Sequence, residues 1–111
     1  LKKIKKMKET LLYFAKDENE RAVYPAKNFL GIDLEGDSSS LQVSFKKEDG
    51  TLDAAIVDLS LAPGKPGEAM KNVAEALAGA LAGNSGGLTI VADDDNGAYL
   101  HPDILAVTSI T

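Results

Sequence analysis

The 111-residue sequence contains no cysteine, no tryptophan and a single histidine. Without cysteine the chain cannot form disulfides or a thiolate zinc site, and one histidine cannot supply a His–His metal pair. Only six residues are aromatic, so a core built from this chain must be largely aliphatic. No apolar run approaches the roughly eighteen residues that span a membrane, and we expect no secretory signal ahead of Lys16. We therefore expect one domain with no cofactor, no bound metal and no membrane partner.

Positive charge is also scarce, and it is unevenly distributed. The net charge is −5, yet five lysines lie within the first eight residues, and without residues 1–6 the chain has eight basic and 17 acidic residues. This asymmetry divides the chain into a basic N-terminal extension, residues 1–10, and a single domain, residues 11–111. The extension is predicted to be a solvated tail. The alternatives are a short helix across one mouth of the sheet and a basic arm that attracts nucleic acid.

One helix is predicted in the second half of the chain. Pro66 suits a first helical position, and Met70, Val73, Leu77 and Leu81 recur at helical spacing with Ala74 and Ala80 between them. The glycine-rich run at residues 83–87 supplies left-handed backbone and ends the helix.

The other patterned segments indicate short strands. Apolar or alternating runs lie at residues 11–15, 21–24, 31–34, 41–46, 55–61, 88–92 and 104–110, with turn signals every eight to twelve residues. The clearest pair is a hairpin of residues 41–46 and 55–61, turned at Asp49-Gly50. The continuous run at residues 11–15 predicts a strand buried on both faces, and a turn at residues 26–29 is expected to tuck Phe29 and Leu30 under the sheet. The fold class is thus mainly β with one helix, as a small, strongly bent antiparallel sheet or barrel. The alternative is an α+β two-layer sandwich.

Two stretches invite a chemical interpretation. The acidic run of Asp93, Asp94 and Asp95 before Asn96-Gly97 offers oxygen ligands for calcium, but it lacks the EF-hand glycine position and the twelfth-position Glu, so a solvated turn is predicted. His101, Asp103 and Ser109 are the residue types of a hydrolytic triad, but no sequence motif places a nucleophile on the strained turn that such enzymes use. We therefore expect a strand-joining bend here and no enzymatic activity.

Three segments carry a resemblance to a known group: residues 24–32 (YPAKNFLGI), 64–77 (GKPGEAMKNVAEAL) and 90–104 (IVADDDNGAYLHPDI). Together they resemble small proteins of marine phages and cyanophages that are related in fold to the Sm/LSm-like RNA-binding proteins. Sm proteins place their helix before the first strand, whereas the clear helix here comes late in the chain.

The resemblance implies an Sm-like β-barrel whose edge strands pair between subunits, giving a cyclic homo-oligomer of about five to seven copies. It also implies RNA binding near the loop that follows the second strand. The candidate residues there are Tyr24, Lys27, Asn28 and Phe29. The expected function is a non-enzymatic, ring-forming, RNA-binding module in the cytoplasm of a bacterial host. The alternative is a structural component of the virion, such as a head-decoration or neck protein.

Overall fold

The computed structural model describes residues 10–35, 39–47, 53–83 and 87–111. Within these ranges the apolar and alternating segments form eight strands. In chain order these residues form β1 (Thr10–Ala15), β2 (Arg21–Pro25), a 3₁₀ turn (Ala26–Asn28), β3 (Phe29–Leu34), β4 (Ser40–Lys46), β5 (Ala54–Leu61), α1 (Pro66–Gly83), β6 (Gly87–Asp93), β7 (Ala98–Tyr99) and β8 (Ile104–Ile110). The predicted mainly-β fold with one helix is confirmed for these residues. The basic extension before Thr10, the Asp49-Gly50 turn and residues 84–86 of the glycine-rich run lie outside them.

The strands divide into two four-stranded sheets. Sheet A has the order β2-β1-β6-β7, and sheet B has the order β3-β4-β5-β8. Sheet B is antiparallel throughout and contains the predicted hairpin, with Val43 opposite Val57. In sheet A, β1 pairs antiparallel with β2 and parallel with β6. The two sheets agree with the alternative prediction, a two-layer arrangement.

The first strand is buried on only one face. Leu12 and Phe14 are fully buried, whereas Leu11 is exposed and Tyr13 is partly exposed. The prediction of burial on both faces was wrong. Helix α1 packs mainly on β3 and β5 of sheet B, and the outer face of sheet A is exposed at Leu11, Leu88 and Ile90.

Helix α1 begins at Pro66 as predicted, and the Ala69 N–H donates to the Lys65 carbonyl in its first turn. Val73 and Leu77 of the predicted apolar face are buried, together with Ala69. Their burial supplies most of what holds this helix in place, because tertiary packing of an apolar face outweighs intrinsic propensity in proteins.

An aromatic cluster joins the two sheets. Phe45 of β4 lies at its centre, with its ring centroid 5.8 Å from that of Phe14 in β1 and 5.9 Å from that of Phe29 in β3, both edge-to-face. Tyr24 of β2 stacks on Phe45 at 4.4 Å with 10° between the ring planes. Four of the six aromatic residues therefore occupy one place, where they join β1 and β2 to sheet B.

A carboxylate also links the two sheets at a second corner, where the end of β6 lies beside β8. Asp94, just after β6, accepts the Val107 N–H of β8 at 3.1 and 3.0 Å through its two oxygens. It also accepts the Tyr99 hydroxyl of β7 at 2.7 Å. One side chain thus connects two strands of sheet A to the edge of sheet B.

Candidate nucleic-acid interface

The chain turns sharply where β2 ends. Pro25 has no N–H to continue the strand ladder, and the next three residues form the 3₁₀ turn. Two of the predicted site residues on this turn differ in their exposure to solvent. Asn28 is buried, 8% exposed, whereas Lys27 is exposed to solvent.

A cleft of about 430 Å³ lies beside this turn, and we call it the Tyr24 cleft. It is lined by Val23, Tyr24, Pro25, Asn28, Lys46, Lys47, Ala55 and Thr111. Its volume falls within the range that small-molecule and nucleotide-sized ligands occupy. Two adjacent lysines, Lys46 and Lys47, are among its lining residues, and lysine side chains are the kind that neutralise phosphate groups.

Tyr24 packs against Phe45 and Phe14 in the aromatic cluster and also lines the cleft. The stack on Phe45 fixes the ring, and burial raises the pKa of the Tyr24 phenol. A tyrosine hydroxyl is protonated at neutral pH, so it donates or accepts hydrogen bonds without adding negative charge. An immobilised ring of this kind is a suitable surface for a nucleic-acid base.

Phe29 has a different role from Tyr24. Its ring packs against Phe45, and it lines a separate apolar groove of about 220 Å³ between β3 and α1, together with Ile32 and Leu77. Leu30 is 61% exposed, so the expectation that it tucks under the sheet was wrong. The pairing of β3 with β4 shifts register between Phe29 and Gly31, and this bulge turns Leu30 outward.

Of the four predicted residues, Tyr24 and Asn28 therefore line the cleft, Lys27 lies on the turn beside it, and Phe29 belongs to the core and the neighbouring groove. Sequence reasoning did not place Lys46 and Lys47 in the site. They lie at the end of β4, far from residue 24 in the sequence, and reach the cleft only because the sheets pack face to face. Their adjacency at a strand end was the available signal.

The predicted acidic turn after β6 is present, but one of its carboxylates, that of Asp93, is buried and Asp94 is only partly exposed. Asp93 is 2% exposed, and its carboxylate accepts the Asn96 backbone N–H at 3.2 Å and side-chain amide at 2.9 Å. Asp94 makes the contacts to β7 and β8 described above. Asp95 pairs with Arg21 at 2.8 Å, a contact that raises the pKa of the guanidinium. Each carboxylate therefore has its own protein partner.

Of the three residues considered as a hydrolytic triad, His101 and Asp103 lie together, with 3.8 Å between the His101 Nδ1 and the Asp103 carboxylate, whereas Ser109 is bonded elsewhere. The Ser109 hydroxyl donates to the Asp58 carboxylate at 2.7 Å. The Asp103 carboxylate accepts the Asn72 amide at 3.0 Å, and its backbone N–H donates to the His101 Nδ1 at 3.0 Å. The predicted strand-joining bend is therefore present, stabilised by contacts within residues 101–103 and with α1.

In the described part of the chain, no group of three or more His, Asp or Glu side chains is arranged to hold a metal ion. Over the same residues, no helix is long and apolar enough to cross a membrane. Comparison of the chain with protein-family models, curated protein sequences and solved structures gives no significant match.

Proposed function

We propose that this protein is a non-enzymatic, Sm-like module of phage origin that assembles into a cyclic homo-oligomer and binds single-stranded RNA in the cytoplasm of a bacterial host. The observation that carries the proposal is the composition of the Tyr24 cleft. It combines a fixed aromatic ring, the amide residue Asn28, and the two lysines Lys46 and Lys47 in one concave surface. Aromatic faces stack on bases and lysines neutralise phosphates, which are the two components of sequence-tolerant single-strand binding.

The distribution of charge supports the cleft as the binding surface. From Thr10 onward the chain has seven basic and 16 acidic residues, so most of the molecule repels a phosphate backbone. Three of those seven, Lys27, Lys46 and Lys47, lie in or next to the cleft. Cyclic assembly repeats the group once per subunit, and the concentrated positive field that one acidic subunit lacks is then supplied by several clefts together.

The test is the affinity for a fluorescein-labelled single-stranded RNA, measured by fluorescence anisotropy over a series of salt concentrations. Replacing Lys46 and Lys47 by Ala is expected to weaken binding about tenfold or more and to reduce the log–log salt slope by about 1.4, because each phosphate contact to a single strand contributes about 0.7. The matched control replaces Lys65 and Lys71, which are exposed and do not line the cleft. It removes the same charge and is expected to leave most of the affinity.

Equal losses of RNA affinity in the two variants would mean that binding depends on overall charge and not on the cleft. Unchanged RNA affinity in the cleft variant would exclude the cleft as the RNA-binding site. Replacing Lys27 and Asn28 by Ala is expected to weaken RNA binding while leaving assembly intact.

Native mass spectrometry before and after nuclease treatment tests assembly and RNA binding together. A defined ring that loses nucleic-acid mass supports the proposal, and a monomer contradicts it.

A second candidate function is a structural component of the virion, such as a head-decoration or neck protein. The observation that favours it is a group of exposed apolar side chains on the outer face of sheet A, Leu11, Val23, Leu88 and Ile90, which RNA binding does not require. Copurification of the protein with phage particles is the expected result for this role. Synthesis early in infection, with no protein in particles, favours the RNA-binding role instead.

A further inference from the structure

The turn between β6 and β7 ends in an asparagine followed by a glycine, Asn96-Gly97. Asparagine is one of the thermolabile residues, because the backbone nitrogen of the next residue can attack its carboxamide carbon. A glycine in the next position leaves that nitrogen without a neighbouring Cβ to shield it. Both residues are exposed to solvent, and Gly97 has open space around the position of its missing Cβ. The pair is therefore accessible to water and to hydroxide.

A buried carboxylate holds this asparagine in the folded turn. Asp93 is 2% exposed, and it accepts the Asn96 backbone N–H at 3.2 Å and the Asn96 carboxamide Nδ2 at 2.9 Å. The Nδ2 atom is the one that leaves when an asparagine deamidates. Both its departure and the rotation of the carboxamide therefore require the hydrogen bond to Asp93 to break. Because exposed turns open locally at low cost in free energy, this bond breaks without unfolding of the whole domain.

We propose that Asn96-Gly97 is a site of spontaneous deamidation and that Asp93 sets its rate. The Gly97 nitrogen loses its proton to hydroxide and attacks the Asn96 Cγ. A C–N bond forms, and the carboxamide nitrogen leaves as ammonia after taking a proton from water. Water then opens the resulting five-membered succinimide at either carbonyl carbon, giving aspartate or isoaspartate. No atom is oxidised or reduced in these steps.

Deamidation changes the charge beside a buried carboxylate. The product at position 96 has no Nδ2 to donate, and its own carboxylate adds a like charge close to that of Asp93, which is unfavourable at short range. The same turn contains Asp94, which binds Tyr99 and Val107 at the corner between β6 and β8. The reaction is therefore expected to weaken this corner, so the turn acts as a slow, one-way switch in the stability of the fold.

The first test is incubation of the full wild-type chain at mildly alkaline pH and body temperature, with peptide mapping by mass spectrometry at intervals. A matched site in the same chain is Asn19, an exposed asparagine in the β1–β2 turn that precedes Glu20 and whose backbone N–H donates to Asp17 at 2.8 Å. Asn96 is expected to deamidate first, at a rate that rises with pH because hydroxide takes the Gly97 proton. No conversion of Asn96, or conversion no faster than that of Asn19, would overturn the proposal.

The role of Asp93 is tested by Asp93→Ala. This substitution removes both acceptor atoms, so deamidation of Asn96 is expected to become about tenfold faster or more, the factor that corresponds to one hydrogen bond to a charged group. The matched control is Ser109→Ala, which removes a hydrogen bond in sheet B and leaves the two Asp93–Asn96 contacts in place. An unchanged rate in Asp93→Ala, or equal acceleration in both variants, would overturn the role of Asp93. Asp93→Asn repeats the test if circular dichroism shows that Asp93→Ala does not fold.

The effect on stability is measured by urea unfolding of fresh and aged protein. The midpoint of the wild type is expected to fall with the fraction of modified Asn96. Asn96→Gln keeps a carboxamide on a longer side chain that does not close a five-membered ring, so its midpoint is expected to stay unchanged on ageing. An equal fall in both proteins would overturn the link to the turn. RNA affinity of the Tyr24 cleft, which neither Asn96 nor Gly97 lines, is measured independently of these results.

Discussion

Replacing Asp94 by Ala tests whether one carboxylate holds the two sheets together at the β6–β8 corner. The substitution removes the acceptor for the Val107 N–H and for the Tyr99 hydroxyl. Val107 is 2% exposed, so its N–H cannot turn to bulk water. We expect no comparable loss from the phenol, which is only partly buried and regains a water partner.

The magnitude follows from these two contacts. Removing the acceptor of a buried donor costs about 1–3 kcal/mol, and we expect the upper end of this range because the lost acceptor is charged. Asp94→Ala is therefore expected to lower the free energy of unfolding by about 3 kcal/mol. Small domains have about 5–15 kcal/mol in total, so the variant should remain folded at room temperature with a clearly lower urea midpoint.

The assay is urea unfolding followed by circular dichroism at one low protein concentration, with the slope m compared between variants. Asp95→Ala is the matched control. It removes the neighbouring carboxylate, which pairs with Arg21 near the surface, and we expect a much smaller loss because exposed ion pairs contribute little. If Asp94→Ala lies within about 0.5 kcal/mol of the wild type, or loses no more than the control, the corner is held by other contacts and the reasoning is refuted.

Three more predictions concern single side chains. Burial and the Asp94 carboxylate raise the pKa of Tyr99 to about 12. The protonated Tyr99 hydroxyl therefore stabilises the fold fully below pH 10, and this contribution is lost as the pH rises to about 12. The ultraviolet difference titration of wild type against Tyr99→Phe should have its midpoint near 12 and not near 10. Ser109→Ala removes the hydroxyl that donates to Asp58, whose other carboxylate oxygen is buried without a partner; we expect a loss of about 1.5–3 kcal/mol in urea unfolding, and no loss would show that another donor takes its place. Gly97 has φ +66° with open space around its missing Cβ, so Gly97→Ala should cost about 1 kcal/mol from backbone conformation alone, and an unchanged melting temperature would contradict this.

Local patterns predicted the elements of this fold but not their arrangement. The hairpin of β4 and β5 is predicted by its strict alternation, and α1 by its apolar spacing after Pro66, because both signals lie within one short stretch of chain. The pairing of Leu11 with Leu88 is different, since nothing in either strand indicates the other. The strand order within the two sheets depends on that non-local register, so it could not be predicted from the sequence.

The candidate site shows the same limit. Tyr24 and Asn28 could be proposed together because they are close in the sequence, and the structure places both in one cleft. Lys46 and Lys47 come from another sheet, and only tertiary packing brings them there. Asp94 looked like one of three equivalent acids in a polar turn. Its contact with Val107 of β8 exists only once the sheets have met, so no pattern within residues 93–97 could distinguish it.

The parallel pairing of β1 with β6 has a consequence for how the chain is made. Antiparallel neighbours such as β3, β4 and β5 can pair as soon as they leave the ribosome, because their contacts are local. β1 emerges before all of them, yet its second neighbour is β6, near the other end of the described chain. During synthesis the β1–β2 hairpin therefore waits with one unpaired edge, which exposes it to aggregation. The earliest of these strands to be translated is among the last to be paired on both sides.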